Sequence, residues 1–332
     1  MAQAMTIPRR VRIVEVGPRD GLQNEATPIP TDVKLRFIEK LAAAGLRDIE
    51  VTSFVHPKAV PQMADAMDLA RQLPHRERVT YSALVPNAVG WDRCLQSGIE
   101  RIAVFTAASE TFTAKNIRMT IDESLAVFAP ILHDAARRAF TSRAYISTCF
   151  ECPYEGRVAR GKVRELAQRL IEMGAGEIAI SDTLGAAAPS DVAETVGHVL
   201  ERVPADRIAL HFHDTYGTAL ANVCAGLQLG IETFDSSAGG LGGCPYAPGA
   251  AGNLATEDLV YLLDRMGIES GVNLAAVAEA SSVIASALGR SALPSRNWLR
   301  LMQANCAKAN GEGHSVAPGP ASPLDSPNGP PR

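Results

Sequence analysis

Short apolar runs rich in valine and isoleucine alternate along the chain with longer stretches in which apolar residues recur every three or four positions. The short runs are typical of buried β-strands, and the longer ones of helices that bury one face. Eight such units in succession predict a closed (βα)8 TIM barrel, an α/β fold; a doubly wound sheet is the alternative, because alternation alone does not prove closure. The strand candidates begin at Val11, Asp48, Val79, Arg101, Arg143, Glu177, Ile208 and Thr233.

Helical periodicity between the strands is clearest at 32–44, 121–139, 162–173, 190–202 and 256–266. The hydroxyl side chains of Thr31, Ser190 and Thr256 stand at the beginnings of three of these stretches and are predicted to cap them. Glycine is typical just beyond a helix end, since it adopts left-handed backbone angles without strain. It follows the predicted ends at Gly45, Gly174 and Gly267.

After the eighth unit, two further helices are predicted at 274–288 and 297–308, and residues 309–332 are mostly glycine, proline and serine. This last stretch has too few apolar residues to bury a core and is predicted to be disordered. The chain has 332 residues, of which 46% are hydrophobic and 20% charged. We therefore predict one barrel domain with extra C-terminal helices over residues 1–308, followed by a tail at 309–332.

The net charge of −4 gives no general attraction to nucleic acid or to an anionic membrane, so neither partner is predicted. No apolar run is long enough to span a bilayer. The six cysteines are scattered and no secretory signal precedes them, which argues against a disulfide framework. A reducing cytoplasm is the expected compartment.

Two histidines in LHFHDTYG, His211 and His213, stand two positions apart near the end of the seventh strand candidate. Side chains at this spacing point to the same side of a strand, and in a barrel that side can be the interior. Two imidazoles aimed at one point can bind a metal ion. Two unrelated, hydrogen-bonded core histidines are the alternative; metal ligation is the favoured interpretation.

The first strand candidate ends in VEVGPRDGLQNE, where glycine and proline mark a turn beyond the strand. Active sites of TIM barrels lie at this end of the strands. Asp20 can therefore supply a hard oxygen ligand and Arg19 a fixed positive charge. Taken alone, an Arg-Asp pair that only stabilises the turn is an equally good interpretation.

A glycine-rich stretch, AGGLGGCPYAPGAAGN, runs from Ala238 to Asn253 between a strand and a helix. Loops of this composition can close over a substrate, and this one carries a single thiol, Cys244. A flexible connection with an inert cysteine is the alternative. Asn253 can either cap the following helix or donate its side-chain oxygen to a metal.

Other polar residues stand at strand ends, namely Glu50, Asp182 and Thr183. Acidic groups there are expected to face the barrel mouth, where they act as bases or bind a ligand. Cys149 and Cys152 form a single C-x-x-C, which without a second pair does not favour zinc or redox chemistry.

Several motifs occur in order between about Val11 and Gly289: VEVGPRDGLQNE, IEVTSF, CPYEG, SDTLG, HFHDTYG and GLGGCPYAPGAAGNLATEDLVY. Together they closely resemble the hydroxymethylglutaryl-CoA lyase family, within the wider group of TIM-barrel metallolyases that carry an Arg-Asp-Gly motif after the first strand. The cysteine-bearing glycine loop is the most specific part. The resemblance implies cleavage of 3-hydroxy-3-methylglutaryl-CoA to acetyl-CoA and acetoacetate with a magnesium or manganese ion, in leucine degradation, by a homo-oligomer such as a dimer.

The resemblance also implies roles for individual residues. Arg19 matches the arginine that polarises the thioester carbonyl, and Cys244 matches the loop cysteine required for catalysis. His211 is implied in catalysis as well as in metal binding. The supporting acidic residues are Glu50, Asp182 and Glu257. The metal ligands are Asp20, His211, His213 and Asn253.

Some positions depart from the family pattern, among them Glu151 before CPYEG and the chain after Arg290. Lys115 and Arg118, expected in a loop after the fourth strand, are candidates for binding the CoA phosphates, with a solvated loop as the alternative. These departures leave open a lyase for a longer 3-hydroxy-3-substituted glutaryl-CoA or a related aldolase. A catalytically silent metal-binding barrel is less favoured, because a scaffold does not need this set of side chains.

Overall fold

Eight parallel strands close into a barrel in a computed structural model of the protein, which describes residues 7–243 and 252–309. The first strand pairs with both the second and the last, which closes the sheet and confirms the barrel over the doubly wound alternative. The barrel strands are β1 (Arg12–Glu15), β2 (Asp48–Ser53), β3 (Thr80–Leu84), β4 (Arg101–Ala107), β5 (Thr141–Ser147), β8 (Glu177–Asp182), β9 (Ile208–Phe212) and β10 (Thr233–Ser236). A small antiparallel hairpin, β6 (Glu151–Cys152) and β7 (Gly156–Arg157), follows β5.

Helices surround the barrel, and the strongly periodic ones lie within about two residues of their predicted bounds. They are α1 (Thr31–Ala43), α2 (Ala66–Gln72), α3 (Ala88–Leu95), α4 (Glu110–Ile117), α5 (Ile121–Arg137), α6 (Arg160–Glu172), α7 (Pro189–Leu200), α8 (Ala219–Gln228), α9 (Thr256–Met266), α10 (Leu274–Ala287) and α11 (Arg296–Ala309).

The predicted N-caps are wrong. Thr31 and Thr256 are already the first residues of their helices, after Pro30 and Ala255, and Ser190 lies inside α7. These helices therefore begin earlier than the hydroxyl residues suggest. The residue just before each helix is extended, and its own side chain makes no capping hydrogen bond. The predicted glycine ends are confirmed, and Gly267 adopts the left-handed conformation, with a φ of 70°.

The two C-terminal helices are part of the packed structure. Trp298 of α11 is buried, and its indole Nε1 donates a hydrogen bond to the carbonyl of Ala278 in α10. Asp258 of α9 accepts from the backbone N–H groups of Arg296 and Asn297, which neutralises the start of α11. The helices predicted at 274–288 and 297–308 are confirmed; residue 309 of the predicted tail is helical, and residues 310–332 lie outside the described chain.

Ion pairs close the barrel at the amino ends of its strands. Arg12 pairs with Asp48 and Glu177, Arg101 pairs with Asp48, and the buried Arg143 pairs with Glu177. The void left between these side chains measures about 10 Å³. Above them lies an apolar layer that includes Leu84, Ala103, Ala179 and Ala209. The open end of the barrel is therefore at the carboxyl ends of the strands, where the predicted site residues stand.

No helix in the described ranges combines the length and apolar character that crossing a membrane requires.

Glu15, at the end of β1, is fully buried and ties three elements together. Its carboxylate accepts hydrogen bonds from the backbone N–H groups of Gly17 and Ala238 and from the Thr256 hydroxyl. Burial, which these hydrogen bonds only partly offset, raises the pKa of Glu15 from 4.5 to about 7.

We expect Glu15→Gln to flatten the dependence of stability on pH. Because the folded-state pKa of Glu15 is raised, its contribution to stability is complete below pH 4.5 and is lost as the pH rises through about 7. The full difference is on the order of 3 kcal/mol. Thermal unfolding from about pH 5 to pH 8 should show a smaller fall in Tm for the variant than for the wild type. The matched control is Glu100→Gln, at an exposed glutamate; equal slopes for wild type and Glu15→Gln would contradict the expectation.

Candidate metal centre and cavity at the barrel mouth

The GPRDG segment after β1 forms a single π-helical turn over Gly17–Gly21. The backbone N–H groups of Asp20 and Gly21 both donate to the carbonyl of Val16, at 2.7 and 3.1 Å. A wide turn of this kind is rare and often occurs at functional sites. The π-helical turn redirects the chain directly after β1, so that Arg19 and Asp20 both line the cavity at the barrel mouth.

The two histidines lie at the end of β9 and point into the same cavity, as their spacing predicts. A short segment runs antiparallel beside them: Leu254 N–H donates to the carbonyl of Phe212 at 2.9 Å, and His213 and Asn253 form a β-bridge. This pairing places Asn253 against the histidines. Because α9 begins three residues later, after Ala255, the interpretation of Asn253 as a helix cap is wrong.

Asp20, His211 and His213 form a compact cluster in which one ligand atom from each lies within 4.8 Å of the others. Asn253 belongs to the same cluster, since its Nδ2 donates to Asp20 Oδ2 at 2.9 Å. His213 Nδ1 and Asn253 Oδ1 are buried and have no hydrogen-bond partner in the described chain. Two buried polar atoms without a hydrogen-bond partner beside a carboxylate fit a bound cation.

The protonation states of the cluster also suit a cation. Burial alone would raise the pKa of Asp20, but Arg19 and the two histidines outweigh it and lower the pKa to about 2. Burial and the neighbouring His211 lower the pKa of His213 to about 4. At neutral pH the cluster therefore presents an ionised carboxylate and a neutral His213 imidazole, the forms that bind metals.

Arg19 is held in place by two carboxylates. Its Nη1 donates to Asp20 Oδ1 at 2.6 Å and its Nε to Glu50 Oε1, and its guanidinium carbon lies 5.5 Å from the ring centre of Tyr145. Glu50 is buried beneath the cavity, where it also accepts from the Tyr145 hydroxyl at 3.0 Å. The expectation that Glu50 faces the barrel mouth is therefore wrong, because both of its oxygens are used to orient other side chains.

Asp182 also differs from the expectation that it faces the mouth. Its carboxylate accepts from the backbone N–H groups of Ala186 and Ala187, at 3.1 and 2.9 Å, and its side chain is buried. Burial raises the pKa of Asp182 to about 6 although these hydrogen bonds oppose the shift. Asp182 thus stabilises the turn after β8, while its neighbour Thr183 lines the cavity and accepts from Thr148 N–H at 2.8 Å.

Glu257 lies away from the cavity. It is fully buried in α9 and accepts from the backbone N–H of Gly239 at 2.9 Å and from the Ser281 hydroxyl at 2.5 Å. It therefore supports the turn that leads into the glycine-rich loop. Residues 244–251 of that loop, including Cys244, lie outside the described residues.

Glycine is required where this loop meets the cluster. Gly242 has a φ of 117°, and a Cβ there would lie 2.6 Å from Asn253 Nδ2. A Cβ on Gly252 would lie 2.5 Å from the carbonyl oxygen of Gly240. A side chain at Gly242 would push Asn253 away from Asp20, and one at Gly252 would collide with the backbone of Gly240 and Gly242.

The cavity has a volume of about 390 Å³. Beside the polar cluster it has an apolar wall that the sequence did not reveal, because its residues come from three separate strand–helix units. The wall is formed by Val55, Val60, Leu84, Phe105, Phe112 and Ile117.

Lys115 and Arg118 flank the mouth of this cavity. Lys115 lies in the last turn of α4 rather than in a loop, and Arg118 follows directly after the helix, with a left-handed φ of 57°. Lys115 Nζ lies 4.9 Å from the ring centre of Tyr154. Both cationic side chains are exposed, while Asn116 and Ile117 between them line the cavity.

Cys149 and Cys152 are buried apart from the cluster. Their thiols donate to the Ile146 carbonyl and the Ser109 hydroxyl, each at 3.0 Å. Across the described ranges, the only group of histidine, cysteine and acidic side chains close enough to hold an ion is Asp20, His211 and His213. The structure thus gives the C-x-x-C pair no metal role within the described chain.

A closed (βα)8 barrel with a carboxylate–imidazole cluster at the carboxyl ends of its strands defines the class of TIM-barrel enzymes with a candidate metal centre. The chain belongs to the HMGL-like family, whose sequence profile matches residues 10–284. It is accordingly a carbon–carbon lyase, as the sequence resemblance implied.

Named proteins with similar sequences and structures cover nearly the whole chain. A hydroxymethylglutaryl-CoA lyase of Bacillus subtilis is 50% identical over 293 residues, which is 88% of this chain and 98% of that protein. A 3-hydroxy-3-isohexenylglutaryl-CoA/hydroxymethylglutaryl-CoA lyase of Pseudomonas aeruginosa is 47% identical and covers 92% of this chain and all of its own. An HMG-CoA lyase from Acinetobacter baumannii, solved with coenzyme A and 3-methylmalate, has a TM-score of 0.83 at 34% identity and covers 96% of this chain and 100% of its own.

Proposed function

We propose that this protein cleaves 3-hydroxy-3-methylglutaryl-CoA to acetyl-CoA and acetoacetate in a metal-dependent reaction. The observation that carries the proposal is the convergence of Asp20, His211 and His213 beside the fixed Arg19 in one cavity, with Asn253 hydrogen-bonded to Asp20. The family and the B. subtilis relative, a hydroxymethylglutaryl-CoA lyase, support the substrate.

A divalent magnesium or manganese ion would be held by Asp20, His211, His213 and Asn253. When bound, such an ion supplies Lewis acidity that lowers the pKa of the substrate's tertiary hydroxyl. The two imidazoles suit manganese by ligand softness, whereas magnesium prefers oxygen; magnesium is included because the family resemblance implies it.

The chain's own side chains then act on the other half of the substrate. The tertiary hydroxyl transfers its proton to the ionised carboxylate of Asp20, which lines the cavity. The bond between the carbinol carbon and the α-carbon of the thioester then breaks, so that the hydroxyl oxygen becomes a ketone oxygen and the electron pair passes to the thioester enolate. Arg19 donates hydrogen bonds to the thioester oxygen, where this charge develops. Glu50 and Asp20 hold the guanidinium in position, so that little reorganisation is needed during the reaction.

Cys244 is the proposed general acid that protonates the enolate carbon after the loop excludes water. We expect Cys244→Ala to lower kcat by about 10²- to 10⁴-fold, the usual contribution of a positioned acid, with little change in metal binding. Steady-state kinetics and Mn²⁺ titration check this, with Cys306→Ala, at an exposed cysteine on α11, as the matched control. Near-normal turnover of Cys244→Ala would remove the acid role.

The CoA part of the substrate is proposed to lie across α4, with Lys115 and Arg118 pairing with its phosphates. Two exposed cations on either side of the cavity-lining Asn116 and Ile117 support this placement, and the coenzyme A in the A. baumannii lyase supports a CoA substrate. The acidic residues Asp182 and Glu257 are proposed to support the site through the backbone turns that they hold.

A longer 3-substituent is the second candidate, because the apolar wall of the cavity offers it contacts that a methyl group cannot fill. The P. aeruginosa relative is named for both a methyl and an isohexenyl substrate. A panel of 3-substituted glutaryl-CoA thioesters, assayed with the metal-reconstituted enzyme, tests both candidates. Rapid turnover of a longer homologue without cleavage of the methyl compound would overturn the first.

The proposal extends to a place in leucine degradation in the cytoplasm and to a homodimeric enzyme. The family resemblance supports leucine degradation, and the scattered cysteines support a reducing compartment. Sedimentation equilibrium of the purified protein would test the dimer.

A further inference from the structure

His211 is held from below by a carboxylate to which the sequence drew no attention. Asp235 of β10 is the direct neighbour of His211 in the sheet, and its Oδ2 lies 3.1 Å from His211 Nδ1. The Asp235 side chain has no exposed surface. An ionised carboxylate can only accept hydrogen bonds, so this contact requires a proton on Nδ1. The lone pair of His211 then resides on Nε2, the atom 3.9 Å from Asp20 Oδ2.

Asp235 is in turn paired with a buried cation. Arg143 Nη1 donates to Asp235 Oδ1 at 2.7 Å, and its Nε donates to Glu177 Oε1 at 2.5 Å. The guanidinium of Arg143 thus holds one oxygen of Asp235, and the other oxygen faces His211. A buried carboxylate stays charged only beside such a partner.

Arg143 also reaches the opposite side of the site. The same Nη1 donates to the Tyr145 hydroxyl at 3.2 Å, and Tyr145 donates to Glu50, which holds Arg19. One buried arginine thus stabilises two chains of hydrogen bonds. The first leads through Asp235 to His211, and the second leads through Tyr145 and Glu50 to Arg19.

We propose that Asp235 and Arg143 are positioning residues that fix the tautomer and the direction of His211, so that its Nε2 is presented to the cation. This inference rests on the proposed metal site and deepens it. A partner of this kind typically contributes 10- to 100-fold to metal affinity.

The test is Mn²⁺ affinity of the metal-free full-length protein, measured by electron paramagnetic resonance of the unbound ion. Asp235→Asn keeps the shape of the side chain but has one oxygen for two donors. The charged Arg143 is expected to donate to that oxygen, which leaves the amide N–H₂ group facing His211 Nδ1. Because this group can only donate, it favours the His211 tautomer with its proton on Nε2. We expect Mn²⁺ binding to weaken about 10- to 100-fold. The matched control is Asp48→Asn, a carboxylate of the amino-end ion pairs that bonds to Arg12 and Arg101; it should keep wild-type affinity.

Long-range ¹H–¹⁵N correlation spectra of the metal-free protein give a second readout, which a purely structural role would not change. The wild type should show His211 protonated on Nδ1 and Asp235→Asn should show it protonated on Nε2. If Asp235→Asn does not fold, Arg143→Lys, which keeps the charge but loses the forked geometry, should also weaken Mn²⁺ binding. Unchanged affinity in a folded variant would overturn the inference alone, whereas a wild type that binds no Mn²⁺ would overturn the proposed metal site together with it.

Discussion

Replacing Arg19 with glutamine is expected to lower kcat by about 10²- to 10³-fold, the loss that follows removal of one donor to a developing oxyanion. The guanidinium is preorganised by Asp20 and Glu50. Glutamine keeps hydrogen-bonding capacity but loses the charge, so the effect should appear in kcat more than in KM. Steady-state kinetics with 3-hydroxy-3-methylglutaryl-CoA at saturating metal measures it.

The matched control for this substitution is Arg160→Gln, at an arginine of α6 whose ion pair with Glu194 lies on the surface. It should leave kcat unchanged. Thermal unfolding should be recorded for both variants, because Glu50 loses a buried partner when Arg19 is replaced. A folded Arg19→Gln enzyme with less than a tenfold loss of kcat would contradict the proposed role of the arginine.

Replacing His213 with alanine is expected to remove most of the bound metal. The substitution removes a neutral, buried imidazole whose Nδ1 has no other partner in the described chain. Loss of a residue that only hydrogen-bonds to a metal ligand weakens metal binding roughly 10- to 100-fold. Loss of the ligand His213 itself should weaken binding by more than this. Metal content by mass spectrometry and Mn²⁺ titration measure it, and turnover should fall in parallel.

His198→Ala, at a half-buried histidine of α7 that pairs with Glu201, is the matched control. Wild-type metal stoichiometry is expected there. Unchanged stoichiometry in His213→Ala would count against ligation by this residue and would leave the cluster without one of its two imidazoles.

Periodicity was enough to predict eight strand–helix units, since each strand and its helix carry their own pattern, whereas closure of the barrel was settled by the pairing of β1 with both β2 and β10. The two histidines were also predictable, because a spacing of two on a strand fixes a common direction. Asp20 and Asn253 were harder, since they lie on irregular backbone: a π-helical turn places the first and a β-bridge to His213 places the second. From the sequence, only the family resemblance assigned these four residues to one metal site.

The orientation of the acidic residues could not be predicted from their positions. Glu50 lies in the middle of β2 and bonds to Arg19, whereas Asp182 ends β8 and bonds to backbone N–H groups of its own turn. The hydrogen-bond partner of a buried carboxylate is set by residues that are far away in the sequence but close in the fold. Asp235 was missed for the same reason, although a charged residue on the inward side of a barrel strand is itself a signal that an opposite charge or a histidine lies opposite.

The ion pairs among Arg12, Asp48, Arg101 and Glu177 have a kinetic consequence for the reaction. They leave a void of about 10 Å³, room for one water molecule at most. Neither product can pass through that floor, so within the part of the chain that the structure describes substrate enters and both products leave at the carboxyl ends of the strands. The two products must then be released in a fixed order whenever the product nearer the cavity mouth blocks the one beneath it. Acetyl-CoA and acetoacetate should accordingly differ in their patterns of product inhibition.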